Sequence, residues 1–169
     1  MSTASRFHGV TVTLVDTGAR TIALPSTSII GLCDTFTPGI KATAKPNDLV
    51  LLTSEREAIA AFGEDSAITR AAKAVFLKAK AVIVACGVAK LEDEALQTSA
   101  IIGGVLASGQ RTGLQALLDG KSRFNAQPRL LIAPKHSATQ AVATAMDALA
   151  GKLRAIAIVD GIRENLRVL

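Results

Sequence analysis

The sequence predicts an α/β protein, with a mainly parallel sheet flanked by helices and an extended N-terminal β arm. Three observations carry this reading. From residue 28 onward, apolar runs of strand length alternate with segments of helical periodicity, the pattern of a sheet wrapped by right-handed crossovers. Two of those runs, "AVIVACGV" and "PRLLIAP", hold almost no polar side chain between their ends, as expected of strands covered on both faces. Finally, the opening run Val10-Thr11-Val12-Thr13-Leu14-Val15 alternates with a period of two, Val10, Val12 and Leu14 on one face, yet no hairpin signal follows it. Asp16 to Ser28 carries Gly, Pro, Thr and Ser and reads as a tether leading away from the strand.

Taken in order, "SIIGLCDTF" (Ser28 to Phe36) and "DLVLLTS" (Asp48 to Ser54) are strands joined by the exposed loop "TPGIKATAKPN". Ser54 and Glu57 form an S-x-x-E capping box, opening a short helix to Phe62 that Gly63 ends. Ser66 caps a second helix, in which Ile68, Ala71, Ala72, Val75, Phe76 and Ala79 recur on one face and Arg70, Lys73, Lys78 and Lys80 on the other. A buried strand over Ala81 to Val88 follows. "EDEALQTSAIIGG" reads as a helix with acids in its first turn and glycine at its end, and "RTGLQALLDG" as a shorter one. After the strand in "PRLLIAP", Ser137 begins an amphipathic helix with Val142, Ala145, Met146 and Leu149 inward, closed at Gly151, before a last strand "RAIAIVD".

Size and composition narrow the function classes. A chain of 169 residues buries roughly two thirds of its unfolded surface. With 49% hydrophobic but only 3% aromatic residues, its core is built from Ala, Val, Leu and Ile. The net charge of +5 is diffuse, and Phe124 is the only ring in the loop-like basic stretch Lys121 to Arg129, so the interleaving typical of a nucleic-acid surface is missing. Cys33 and Cys86 sit in apolar runs without metal-ligand spacing and read as small buried hydrophobes in a reducing compartment. Neither a signal peptide nor an uninterrupted apolar stretch of spanning length is visible.

Motifs that carry chemistry are incomplete. "GVLASGQR" (Gly104 to Arg111) has the glycine spacing of a P-loop, but Gln110 and Arg111 stand where Lys and Ser or Thr are needed. "GKS" at Gly120 to Ser122 lacks the leading glycine, because Gln115 holds that place. No cofactor is therefore expected. Asp160 and Glu164 stand four apart without a nearby His or Cys, so no metal site is expected either. The alternative to a non-catalytic protein is a small α/β hydrolase or ligand-binding domain. Its site would lie at the strand carboxyl ends, where Ser54, Lys135, His136, Ser137 and Asp160 are expected near one edge. Such a site requires hydroxyl, imidazole and acid to converge.

Longer ordered blocks point elsewhere. "FHGVTVTLVDTGARTIALPSTSIIGLCDTF", "LLTSEREAIAAFGEDSAITRA", "GQRTGLQALLD", "QPRLLIAP" and "TQAVATAMDALAGKLRAIAIVD" together resemble the major tail sheath protein of P2-like contractile-tailed bacteriophages and of R-type bacteriocins. The resemblance covers most of Arg6 to Asp160. It implies a structural subunit, not an enzyme, that self-associates as stacked rings around a tail tube protein, with neither nucleic acid nor membrane as partner. It places the chain in a virion tail or phage-tail-like particle made in the bacterial cytoplasm. Terminal arms of that family lend strands to neighbouring subunits, which implies that Val10, Thr11, Val12, Thr13, Leu14 and Val15 form a subunit interface by strand addition. Residues 1–27 then constitute a strand-donating arm and residues 28–169 the sheath core domain. Members of the family continue past the strand at Ala155 to Val159 into a further domain, so the chain is expected to be a C-terminally truncated form.

Overall fold

The computed structural model describes residues 29–39 and 42–161. The expected arm, including Val10 to Val15, lies outside the described residues, as does Glu164. Among the described residues five strands and five α-helices follow one another as β1 (Ile29–Phe36), β2 (Leu49–Leu52), α1 (Glu55–Phe62), α2 (Ala67–Lys78), β3 (Val82–Ala89), α3 (Glu94–Ile102), a 3-10 helix (Gly113–Asp119), α4 (Gly120–Phe124), β4 (Leu130–Ile132), α5 (Gln140–Leu153) and β5 (Ile156–Ile158). The strands form one sheet in the order β2-β3-β1-β4-β5. β1 runs parallel to β3 and β4, and β4 parallel to β5. The mainly parallel α/β expectation is met. β2 is the exception: it pairs antiparallel with β3 at the sheet edge, Leu49 opposite Cys86 and Leu52 opposite Ile83.

Alternation along the strands sorts apolar side chains into two cores. Cys33, Val84, Cys86 and Leu131 face α3, the 3-10 helix and α5, meeting Ile101, Leu114, Leu117, Met146 and Leu149. Leu32, Phe36, Leu52 and Ile83 face α1 and α2, meeting Phe62, Ile68 and Ala72. Cys33 and Cys86 are both fully buried, free and in register on adjacent strands. The hydrogen bond between the thiols, reinforced by burial, pushes Cys33 well above the usual thiol range, so it packs as a small apolar residue.

Local capping chemistry sets the starts of α1, α2 and α3. Ser54 caps α1, its Oγ accepting from the Glu57 amide at 3.4 Å, and Ser66 caps α2 through the Thr69 amide at 3.2 Å. The reciprocal half of the first box differs from the sequence expectation. The Glu57 carboxylate accepts from the Thr53 amide at 2.6 Å and the Thr53 hydroxyl at 2.9 Å, one residue upstream of the usual partner. These bonds favour the charged form and lower the Glu57 pKa. A carboxyl whose folded pKa is depressed stabilises the native state above its unfolded pKa, and that contribution is lost as pH falls through the folded value. Urea midpoints measured from neutral to acid pH are therefore expected to fall, and Glu57→Gln is expected to flatten part of that fall while lowering the neutral-pH midpoint slightly.

Three expected boundaries are corrected. Ser137 does not open α5; the helix starts at Gln140 with Thr139 at the cap, and Ser137 is drawn into a buried bond described below. Gly151 does not close α5, which runs to Leu153 and ends on Arg154 in the left-handed conformation (φ 51°). The basic stretch after Gly120 is not wholly a loop, because Gly120–Phe124 forms α4, ended by left-handed Asn125. The short helix read in "RTGLQALLDG" is a 3-10 helix.

The α1/α2 layer stops short of the sheet edge. The register sets Leu52, Ile83, Ile30, Leu130 and Ile156 side by side in one row across the sheet, and Val50, Ala85, Leu32, Ile132 and Ile158 in the next. Under α1 and α2, Leu52, Ile83, Ala85 and Leu32 are fully buried, whereas at the far end Ile156 is 66% and Ile158 53% exposed. The opposite face of β4 and β5 is covered by α5.

Candidate functional site at the strand carboxyl ends

The carboxyl ends of β1, β3 and β4 converge on a polar cleft. Asp34, the one acid in the apolar run of β1, is 2% exposed. Its Oδ1 accepts from the Thr35 amide at 2.7 Å and lies 3.4 Å from His136 Nε2. Lys135, held in the left-handed conformation at φ 64°, turns the chain after β4 so that His136 reaches Asp34. Two hollows flank this turn. One, of about 290 Å³, is bounded by Asp34, Arg70, Lys90, Lys135 and His136. The other, of about 340 Å³, is bounded by Lys90, Glu94, Gln97, Lys135, His136 and Thr139. Gln97 ties the second hollow together, its Oε1 accepting from the Leu91 amide at 2.7 Å.

The residues expected to make a hydrolytic site are split apart. Ser54 lies at the opposite end of the sheet, because β2 runs antiparallel and its carboxyl end meets the start of β3. Ser137 is 3% exposed; its Oγ donates to Asp160 Oδ2 at 3.1 Å and accepts from the Asp160 amide at 3.2 Å, a bond that ties the end of β5 to the turn after β4. His136 is turned instead to Asp34. Base and hydroxyl thus answer to two different carboxylates, and no Ser-His-Asp relay is assembled. Sequence reasoning overlooked Asp34, although an acid inside an apolar strand run was the available signal.

The glycine-rich motifs are structural as well. Val105 and Arg111 form an antiparallel bridge, and the Leu106 amide donates to the Gln110 carbonyl at 2.8 Å, so "GVLASGQR" is a small hairpin and not a strand-to-helix phosphate loop. Arg111 pairs with Asp119. "GKS" is the first turn of α4, and Arg123 beside it pairs with Asp48 at 3.1 Å. Among the described residues no group of three or more His, Cys, Asp or Glu side chains is placed to hold a metal ion, and no helix is long and apolar enough to cross a membrane.

The domain is thus a five-stranded sheet with helices on both faces, and the hydroxyl and imidazole at its strand ends are held by separate carboxylates. Comparison with known proteins shows what it is similar to. Residues 27–88 match the tail sheath protein Gp18 domain III N-terminal region. The chain is 70% identical over 157 residues to a prophage major tail sheath protein of Pseudomonas aeruginosa (strain UCBPP-PA14), covering 93% of this chain and 41% of that one. It is 33% identical over 162 residues to the tail sheath protein of Escherichia phage P2, covering 90% and 40%, and 30% identical over 153 residues to the major tail sheath protein of Serratia phage KSP20, covering 88% and 38%. By sequence the chain matches the tail sheath proteins of P2-like phages and prophages along about nine tenths of its own length, and it spans about two fifths of the length of the curated relatives it matches.

Proposed function

We propose that this chain acts as a structural subunit of a contractile tail sheath, self-associating in stacked rings around a tail tube protein within a virion tail or phage-tail-like particle. The observation that carries this reading is the 70% identity to a prophage major tail sheath protein along 93% of the chain. Association proceeds by strand addition, with residues 1–27 as the donating arm and residues 28–169 as the core. Val10 to Val15 supplies main-chain donors and acceptors to a sheet in a neighbouring copy. Asp16 to Thr27, at up to ~3.3 Å per residue, spans on the order of 40 Å, enough to cross to that neighbour. Neither nucleic acid, membrane nor cofactor has a part in this.

Deleting Met1 to Pro25 is the test. The truncated chain is expected to keep the thermal transition of the core and to lose large assemblies in light scattering. Unchanged particle size would overturn strand donation by this arm.

A further inference from the structure

We infer that the exposed face of β5, with the half-buried edge of β4 beside it, is a socket that receives the acidic ridge at the start of α3 of a second copy, in a head-to-tail contact. The inference rests on the sheath reading above and supplies a contact that the arm does not.

The socket follows from the fold. Strands of a parallel sheet are stable when both faces are covered, yet the outer row ends Ile156 and Ile158 remain 66% and 53% exposed while their other face lies under α5. Leu130 and Ile132 beside them on β4 are half-buried, so β5 and the β4 edge, ~4.8 Å apart, offer a shelf for one side of a helix about 10 Å across. Its wall is the side of α2, built from the small residues Ala67, Ala71 and Ala74, which with Ile132 and Pro134 bound a groove of about 540 Å³. The rim carries Arg70 and Lys135, for which no carboxylate partner is found among the described residues. The one acid at the groove, Asp34, is buried and engaged with Thr35 and His136.

Charge selects the occupant. A two-fold contact of this face with itself would set the basic rim against its own copy, which is unfavourable. The complementary surface is the start of α3, where Leu91, 41% exposed, and Leu96, 60% exposed, flank the exposed acids Glu92, Asp93 and Glu94. That ridge is preformed. Asp93 Oδ1 accepts from the Ala95 and Leu96 amides at 2.8 and 3.2 Å, and Gln97 holds the Leu91 amide from below. Glu94 and the rim residue Lys135 border one hollow at the strand ends, but α3 packs on the opposite side of the sheet from α2, so the chain's own ridge does not cover Ile156 and Ile158. Their contact between chains is heterologous, the kind that generates rings or helical arrays and not closed dimers.

Site-specific crosslinking in the full chain tests this. Cys33 and Cys86 are fully buried, so cysteines placed by Ile158→Cys in one preparation and Leu96→Cys in another are the exposed thiols. Mixed and oxidised, the two are expected to yield a covalent heterodimer that neither forms alone. Adding Arg70→Glu to the Ile158→Cys chain is expected to cut the yield several-fold, and adding Glu94→Arg to its partner to restore it. A heterodimer absent from mixtures that still form large particles would overturn the socket and leave the arm standing. A heterodimer without large particles would support the socket and count against the arm. Self-crosslinking of Ile158→Cys alone would replace the head-to-tail contact by a two-fold one and overturn the inference.

Discussion

Gly113→Ala is expected to be among the most destabilising single substitutions in the domain, by roughly 2–5 kcal/mol. The chain leaving α3 crosses the chain entering the 3-10 helix with Gly103 and Gly113 back to back. A Cβ on Gly113 would lie 2.4 Å from the Ile101 carbonyl oxygen and 2.5 Å from that of Ala100, and one on Gly103 would lie 1.9 Å from the Thr112 carbonyl oxygen. These neighbours are backbone and cannot rotate aside. Both glycines also adopt positive φ, 54° and 69°, which costs an L-residue roughly 1–2 kcal/mol; overpacking against fixed atoms adds about 1–3 kcal/mol. For a domain of this size the sum corresponds to a fall in Tm on the order of 10 °C. Gly109→Ala is the control, because Gly109 has φ 82° with open space around its Cα. It is expected to lose only the conformational part, about 1–2 kcal/mol. Equal losses for the two variants in urea unfolding would show that the crossing is not what holds Gly113.

Phe62→Ala is expected to cost about 3–5 kcal/mol. Phe62, 1% exposed, closes α1 onto the sheet and meets Phe36 edge to face, with ring centroids 5.3 Å apart at 74°. In a core with five phenylalanines in the whole chain, this pair supplies bulk that aliphatic neighbours cannot replace. The rings fit because Gly87 lies beneath them: a Cβ there would fall 2.6 Å from Phe62 Cε1 and 2.7 Å from Phe36 Cδ1. Gly87→Ala alone is therefore expected to destabilise through overpacking. In the Phe62→Ala background the same methyl enters vacated space, so the double variant is expected to be less destabilised than the sum of the singles. Additive losses in a double-mutant cycle would show that the glycine and the ring do not share that space.

The strand-end cleft illustrates how far residue types alone mislead about chemistry. His136, Ser137 and Asp160 were the right residues to suspect at strand carboxyl ends, and all three are found there. Their partners decide the matter. A buried aspartate on β1 takes the imidazole, and the end of β5 takes the hydroxyl. Ser54 shows a different failure: its capping role was legible three residues away in Glu57, but its place in the sheet depended on the direction of β2, which an apolar run of four residues does not encode.

What the sequence by itself determined is local or periodic. The apolar runs place β1 and β3, helical spacing places α2 and α5, and the caps at Ser54 and Ser66 are short-range hydrogen bonds between residues three apart. Its ordered blocks also carried the resemblance to tail sheath proteins. Tertiary structure alone decided the antiparallel β2, the removal of Ser137 from its cap to Asp160, the Gly103–Gly113 crossing and the exposed face of β5. Each depends on contacts between segments far apart in the chain, where the free energy of packing and of buried hydrogen bonds outweighs local preference.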